Sequence, residues 1–309
     1  MNAAVLLLQT ALELGLIMSL TVMALYLSYS MLNVCDLSTD GCYTLGAAVG
    51  AVVALSGHPW LSIPAAMAAG VLSGFITAIL QTKMGIDSLL AGIVVNTGLY
   101  SINMFVMGGS ALLNMNRTET VFTKAERLLE NTFAHGQSDL MVIFIAVAAV
   151  AVILIIFLKT RLGLAIRATG NNPAMVKSSS INPVFTTIVG LCTANAFTAL
   201  SGCLMAQSQK YADVNMGTGV VTIALASLLI GRTFFGKRRI PVQIIGAVIG
   251  AVIFRLVYTL ALRVNMPAYM LKAVSSVIVI LAIFIPYIRT RYPLFARRTG
   301  LSKDKGGRA

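Results

Sequence analysis

A chain of 309 residues that is 58% hydrophobic and only 11% charged, with a mean hydropathy of +0.87, is too apolar for a soluble domain and belongs in a bilayer. Its formal charge of +13 falls mostly in short loops and a tail, a pattern of membrane topology and attraction to anionic lipid rather than of nucleic-acid binding. Four cysteines at spacings matching no zinc or redox motif, and two histidines, His58 and His135, leave little material for a metal centre or a catalytic site.

A helix needs about 20 apolar residues to cross the hydrocarbon core. Windows of that kind predict about nine spans, within a range of eight to ten, at 10–32, 41–57, 60–82, 88–108, 139–158, 184–206, 215–235, 241–261 and 267–288. The expected fold class is an all-α integral membrane protein, a polytopic bundle forming one domain over 1–288 with a basic tail over 289–309. Residues 3–11 read either as the start of the first span or as a separate interfacial helix. No Lys or Arg precedes residue 83, so this start is not expected to be a cleavable signal peptide.

After the first span comes "NVCDLSTDGCYTLGAAVGA". The 41–57 segment is short and begins at Asp40-Gly41, which predicts a half-helix starting inside the protein. Asp40 and Asp87 read as N-caps of the helices that follow them. On a functional reading, the 36–41 turn meets a zwitterionic solute or shapes a gate, as broken helices do in transporters. Glu13, Asp36, Asp40 and Asp87 are the carboxylates near spans, and none is a convincing ion-coupling group deep in the bundle. Three GxxxG pairs, Gly46 with Gly50, Gly70 with Gly74 and Gly246 with Gly250, predict close helix contacts.

Polar residues within spans mark bundle interiors or aqueous paths. Asn96, Tyr100 and Asn103 share one face of the fourth span, and Asn195, Thr198 and Gly202 repeat the pattern in the sixth. The two faces line a solute path or hydrogen-bond between helices; composition leaves both open. The loops at 109–138 and 207–214 carry charges of mixed sign.

The segment "TRLGLAIRATGNNPAMVKSSSINPVF", residues 160–185, is basic and lacks any carboxylate. A short helix is expected at 173–180, between Asn171-Asn172 and Asn182-Pro183, either as a docking element or within a solvated loop spanning 159–183. Further on, "LLIGRTFFGKRRIP" has nearly the spacing of a nucleotide-binding P-loop. However, a membrane span precedes it instead of a strand, and Arg238 stands where magnesium binding needs a hydroxyl. Lys83, the 159–183 loop, the 231–240 loop and the tail hold 16 of the 23 Lys and Arg residues. That side is expected to be cytoplasmic, with the N-terminus outside and the C-terminus inside.

"LAIRATGNNPAMVKSSSIN" and "NVCDLSTDGCYTLGAAVGA" resemble segments of ABC importer permeases of the branched-chain amino acid and ribose type. Together with "SLLAGIVV", "TALSGCLMAQSQKYADVNMGTGVVTIALASLLIG" and "LKAVSSVIVILAIFIP", they are most similar to the tryptophan/tyrosine permease subfamily. The resemblance implies that Gly170, Asn171, Asn172, Pro173, Ala174, Met175, Val176 and Lys177 dock an ATPase. It also places Asp36, Leu37 and Ser38 near the translocation path and residues 209–219 on the outer side. Arg232 departs from the pattern, which has an acidic residue after "LLIG".

The expected function is therefore the permease subunit of an ABC importer in the cell membrane, not an enzyme, moving a small solute such as an aromatic amino acid. Expected partners are a cytoplasmic ATPase carrying ATP and magnesium, an extracytoplasmic binding protein, membrane lipid and a second copy of the chain; the chain itself holds no cofactor. An ion-coupled secondary transporter and a membrane scaffold or sensor are the alternatives.

Overall fold

The computed structural model describes residues 3–129, 138–236, 239–263, 273, 275–281 and 284. Helix α1 (Ala3–Leu25) runs without interruption through residues 3–11, which are thus the start of the first helix and not a separate one, and it passes into a π-helical segment, Tyr26–Met31. Then follow α2 (Thr39–Leu55), α3 (Pro59–Thr82), α4 (Ser88–Val106), strand β1 (Leu112–Asn114) and α5 (Val121–Leu129). After these come α6 (Ser138–Lys159), α7 (Arg161–Asn171), α8 (Pro173–Ser178), α9 (Pro183–Gln209), strand β2 (Tyr211–Asp213), α10 (Val220–Phe235) and α11 (Ile240–Arg263).

Six described helices are long and apolar enough to cross a membrane: Leu8–Met31, Pro59–Thr82, Ser88–Val106, Asp139–Lys159, Pro183–Gln209 and Ile240–Ala261. The expected spans at 41–57 and 215–235 fold instead as the shorter apolar helices α2 and α10. The ninth expected span, 267–288, and the tail lie outside the described residues but for 273, 275–281 and 284.

Two parts of the chain depart from the expected elements. The 159–183 segment is not a loop with one short helix, because α7 occupies most of its first half. Between the helices, β1 and β2 pair antiparallel, with Leu112 opposite Asp213 and Asn114 opposite Tyr211. This ribbon and α5 form one end of the molecule, where Val121 N–H donates to Gln207 Oε1 at 2.8 Å.

Helix α9 is the centre of the packing: it touches α1, α2 and α3 and is buried along most of its length. Glycine makes this possible. A Cβ on Gly46 would collide with the Ala199 carbonyl, and one on Gly50 would lie 2.5 Å from Cys203 Sγ. Gly70 and Gly74 abut the Asn195 and Leu191 carbonyls, so α2 and α3 press their two small-residue strips onto neighbouring faces of α9. The third pair, Gly246 and Gly250, meets α10 at Gly231 and Ser227. Gly231 is thus a packing residue within a helix, not the start of a phosphate-binding loop.

Candidate translocation and coupling sites

The chain leaves helical geometry between Met31 and Thr39, passing from an exposed Asn33 to the buried Asp36 and Ser38. Asp36, buried there, accepts hydrogen bonds at Oδ1 from Ser38 N–H (2.8 Å) and Ser38 Oγ (2.6 Å), and at Oδ2 from Asn195 Nδ2 (3.0 Å). Thr77 Oγ1 donates to Ser38 Oγ at 3.1 Å. A carboxylate withdrawn from water is tolerated only when its lone pairs are met, and here neutral donors meet them. Asp36, Ser38, Thr77 and Asn195 therefore form a polar knot tying the start of α2 to α3 and α9. Leu37 lies beside it, its backbone nitrogen 2.7 Å from where a Cβ on Gly92 would stand.

Asp87 caps its own helix as expected, accepting from Leu89 N–H at 2.9 Å. Asp40 does not. It sits inside α2, and its carboxylate crosses to the start of α10, accepting from Gly219 N–H (3.0 Å) and Val221 N–H (2.8 Å). The residue is a cap, but of a helix 180 positions away in the chain, give or take one.

Beside this cap an open cleft of about 250 Å³ runs between α2, α4 and the turn before α10. Asn96, Tyr100 and Asn103 all line it, together with Thr97 and Thr218. Tyr100 is 51% exposed, whereas Asn103 is buried; its Nδ2 donates to the Gly41 carbonyl at 3.2 Å, and its Oδ1 has no hydrogen-bond partner among the described residues. Asn195 and Thr198 do not join them. Asn195 is committed to the Asp36 knot, and Thr198 donates to the Ala194 carbonyl of its own helix at 3.2 Å. The two polar faces therefore lie on separate sides of α2, one in an open cleft and one in packed interior.

At the opposite end, α8 forms the helix expected at 173–180, shortened to Pro173–Ser178. Asn172 caps it, its side chain accepting from Met175 N–H at 3.1 Å, with Pro173 at the first turn. Asn182 caps α9 in the same way through Val184 N–H at 3.0 Å. Val176 turns inward and is buried; Met175 is 66% exposed. Asn171, Ala174 and Lys177 are exposed beside it.

The platform beneath α8 is tightly fixed. Gly170 lies against the Met31 carbonyl with no room for a Cβ, and Thr169 Oγ1 is 2.8 Å from Thr186 Oγ1. Arg232 reaches the same π-helical segment, donating from Nη1 to Ser30 Oγ at 3.4 Å. The basic residue that departs from the family pattern thus has a local partner.

Sequence reasoning passed over Thr77, which has nothing to mark it. It also passed over Arg255, a charge inside an apolar span whose guanidinium lies 5.2 Å from the Tyr258 ring centroid; an isolated Arg in such a window is itself a signal of an interior position.

Residues 7–283 match the family model described as branched-chain amino acid transport system / permease component. The chain belongs to this family. The permease is 34% identical over 268 residues to the tyrosine transport system permease protein of Clostridioides difficile, covering 86% of each chain. It is 26% identical over 260 residues to the ribose import permease protein of Escherichia coli, covering 81% of this chain and 76% of that one. It is 28% identical over 193 residues to a guanosine ABC transporter permease protein of Bacillus subtilis, covering 56% and 57%. No solved structure matches it.

As an ABC-type permease of the sugar and amino acid group, the chain is a multi-pass membrane subunit without catalytic activity. ATP hydrolysis belongs to a separate subunit, and the family implies both that ATPase and a binding protein as partners.

Proposed function

We propose that two copies of this permease form the membrane path of an importer for an aromatic amino acid, each copy docking one ATPase through residues 170–177. The observation that carries the reading is α8: a helix capped at its start, anchored by Val176, that projects Met175 outward from a platform with no slack beneath it. Such an element passes a push from outside into the bundle rather than absorbing it. ATP and magnesium reside on the ATPase, and the permease supplies two conformations whose contacts with it differ.

Basic residues of α6, α7, α8 and α10 gather around the end that carries α8, which supports a cytoplasmic position for that end; the seven basic residues of the tail favour the same side for the C-terminus, with the N-terminus outside. The ribbon and α5 then face the binding protein that delivers the solute. Thr97 and Tyr100 are exposed on a spanning helix, with Asn96 half-buried beside them against Gly41, and lipid penalises polar groups at such positions. A second copy related by two-fold symmetry covers them and closes the cleft into a shared path. The aromatic amino acid rests on the likeness to the tyrosine permease, and the cleft's neutral hydrogen-bonding groups are compatible with a zwitterion.

The test is co-expression with the cognate ATPase, native mass measurement, and uptake of labelled tyrosine, ribose and guanosine into vesicles loaded with ATP. A complex of two permeases and two ATPases that accumulates tyrosine is expected. A single chain that never retains the ATPase would remove the docking assignment; uptake of ribose or guanosine instead of tyrosine would remove the solute.

A further inference from the structure

A second open cavity, of about 480 Å³, lies at the end of the bundle that carries α8. Lys159 enters it from the end of α6, Arg167 from α7, and Arg239 from just before α11. Its polar floor is Tyr26, whose hydroxyl donates to Gln243 Oε1 at 3.0 Å, and Met31 adds an apolar edge. No carboxylate lines it, and none of the three cations forms an ion pair with a described residue.

Three cations from separate elements, the exposed Lys159 and Arg239 and the half-buried Arg167, share one cavity above the buried Tyr26, and like charges so placed favour an anion between them. The chemistry that suits them is a phosphate group, since Arg presents a planar fork of donors to its oxygens and Lys adds a point charge. Basic pockets between helices at the cytoplasmic edge of a membrane are suited to anionic headgroups. We propose that this cavity is a phosphate-binding site, filled by the headgroup of an anionic phospholipid or by free phosphate. The bound group ties α6 and α7 to the start of α11. Because Arg167 lies one turn before Gly170, occupancy also fixes the platform from which α8 projects. The site itself stands on the membrane reading, whereas this last consequence rests on the docking role of α8.

The test uses the full chain in nanodiscs of phosphatidylcholine with or without phosphatidylglycerol, in wild type, R167Q/R239Q, R167K/R239K and, as a cation outside the cavity, R161Q. Retained lipid is read by native mass spectrometry, and thermal shift is followed with inorganic phosphate in phosphatidylcholine alone. Wild type and R161Q are expected to keep phosphatidylglycerol in preference to phosphatidylcholine. Retention should fall roughly fivefold per cation removed, hence roughly 25-fold in R167Q/R239Q, with partial recovery in R167K/R239K. If free phosphate is the occupant, phosphatidylglycerol shows no preference, and inorganic phosphate raises the melting temperature of wild type but not of R167Q/R239Q. The proposal is overturned if R167Q/R239Q and R161Q behave as wild type does toward both anions. Neither arm involves the ATPase or solute uptake, so the site stands or falls separately from the importer reading.

Discussion

Asn195 donates to Asp36 across 3.0 Å, joining residues 159 positions apart and pinning the break after the first span to the central helix. Asn195→Leu leaves Asp36 buried with one oxygen unmet. We expect a loss of about 2 kcal/mol, since an unmet charged group costs more than an ordinary bond between membrane helices. Thr198→Val removes only a bond within its own helix and should cost about 0.5 kcal/mol. Thermal melts of the two variants in detergent check the contrast, and equal losses would show that the knot adds nothing to stability.

Asp40 is expected to act on α10 rather than on α2. Asp40→Ala strips the cap from Gly219 and Val221 and should destabilise the fold by about 1 kcal/mol, whereas Asp40→Asn keeps one acceptor and should lose less. Hydrogen exchange localises the effect: protection should fall at 219–223 and stay unchanged at 42–46.

A side chain at position 170 has nowhere to go but into the Met31 carbonyl. Gly170→Leu should lift α7 from the π-helical segment and lower uptake roughly tenfold or more, the scale of an ordinary coupling free energy. Because Gly170 opens the docking segment, retention of the ATPase should fall together with uptake. Full retention of the ATPase with uptake lost would mean that Gly170 only supports the platform and takes no part in docking.

Pro173→Gly combined with Met175→Asp attacks the exposed side of α8 instead. Here the ATPase should be lost or uncoupled while the melting temperature stays within a degree or so of wild type, because surface changes rarely exceed about 0.5 kcal/mol. Wild-type uptake by this variant would end the docking assignment.

Asn96→Leu and Tyr100→Ala change the open side of the cleft and should impair uptake without changing stability. Asn103→Leu should do both, since it also releases the Gly41 carbonyl. Uptake rates measured beside melting temperatures separate the two classes, and unimpaired uptake in all three would place the solute elsewhere.

Helices packed through apolar windows and paired glycines were legible, because lipid solubility and close backbone approach act through composition and spacing alone. Gly46, Gly50, Gly70 and Gly74 all meet the one helix whose small residues match them. Asp40 was recognisable as a cap, but its target depends on tertiary folding that brings α10 beside α2. Asn96 and Asn195 looked alike in sequence; one lines a cleft and the other is consumed by a buried carboxylate, a difference that only neighbouring helices decide. Helix α7 was hidden by its glycines and basic residues, and strands of three residues are too short for any periodicity.

The close seating of α9 has a mechanical meaning. Two neighbours, α2 and α3, rest on it backbone to backbone, α1 is tied to it through Ser201 Oγ and the Ile17 carbonyl, and packed interiors yield by discrete rearrangement rather than by bending. It serves as a fixed post. In the proposed importer, opening to one side of the membrane and then to the other would fall to the helices that lean on it least, α4, α6, α10 and α11, around a mast that stays still.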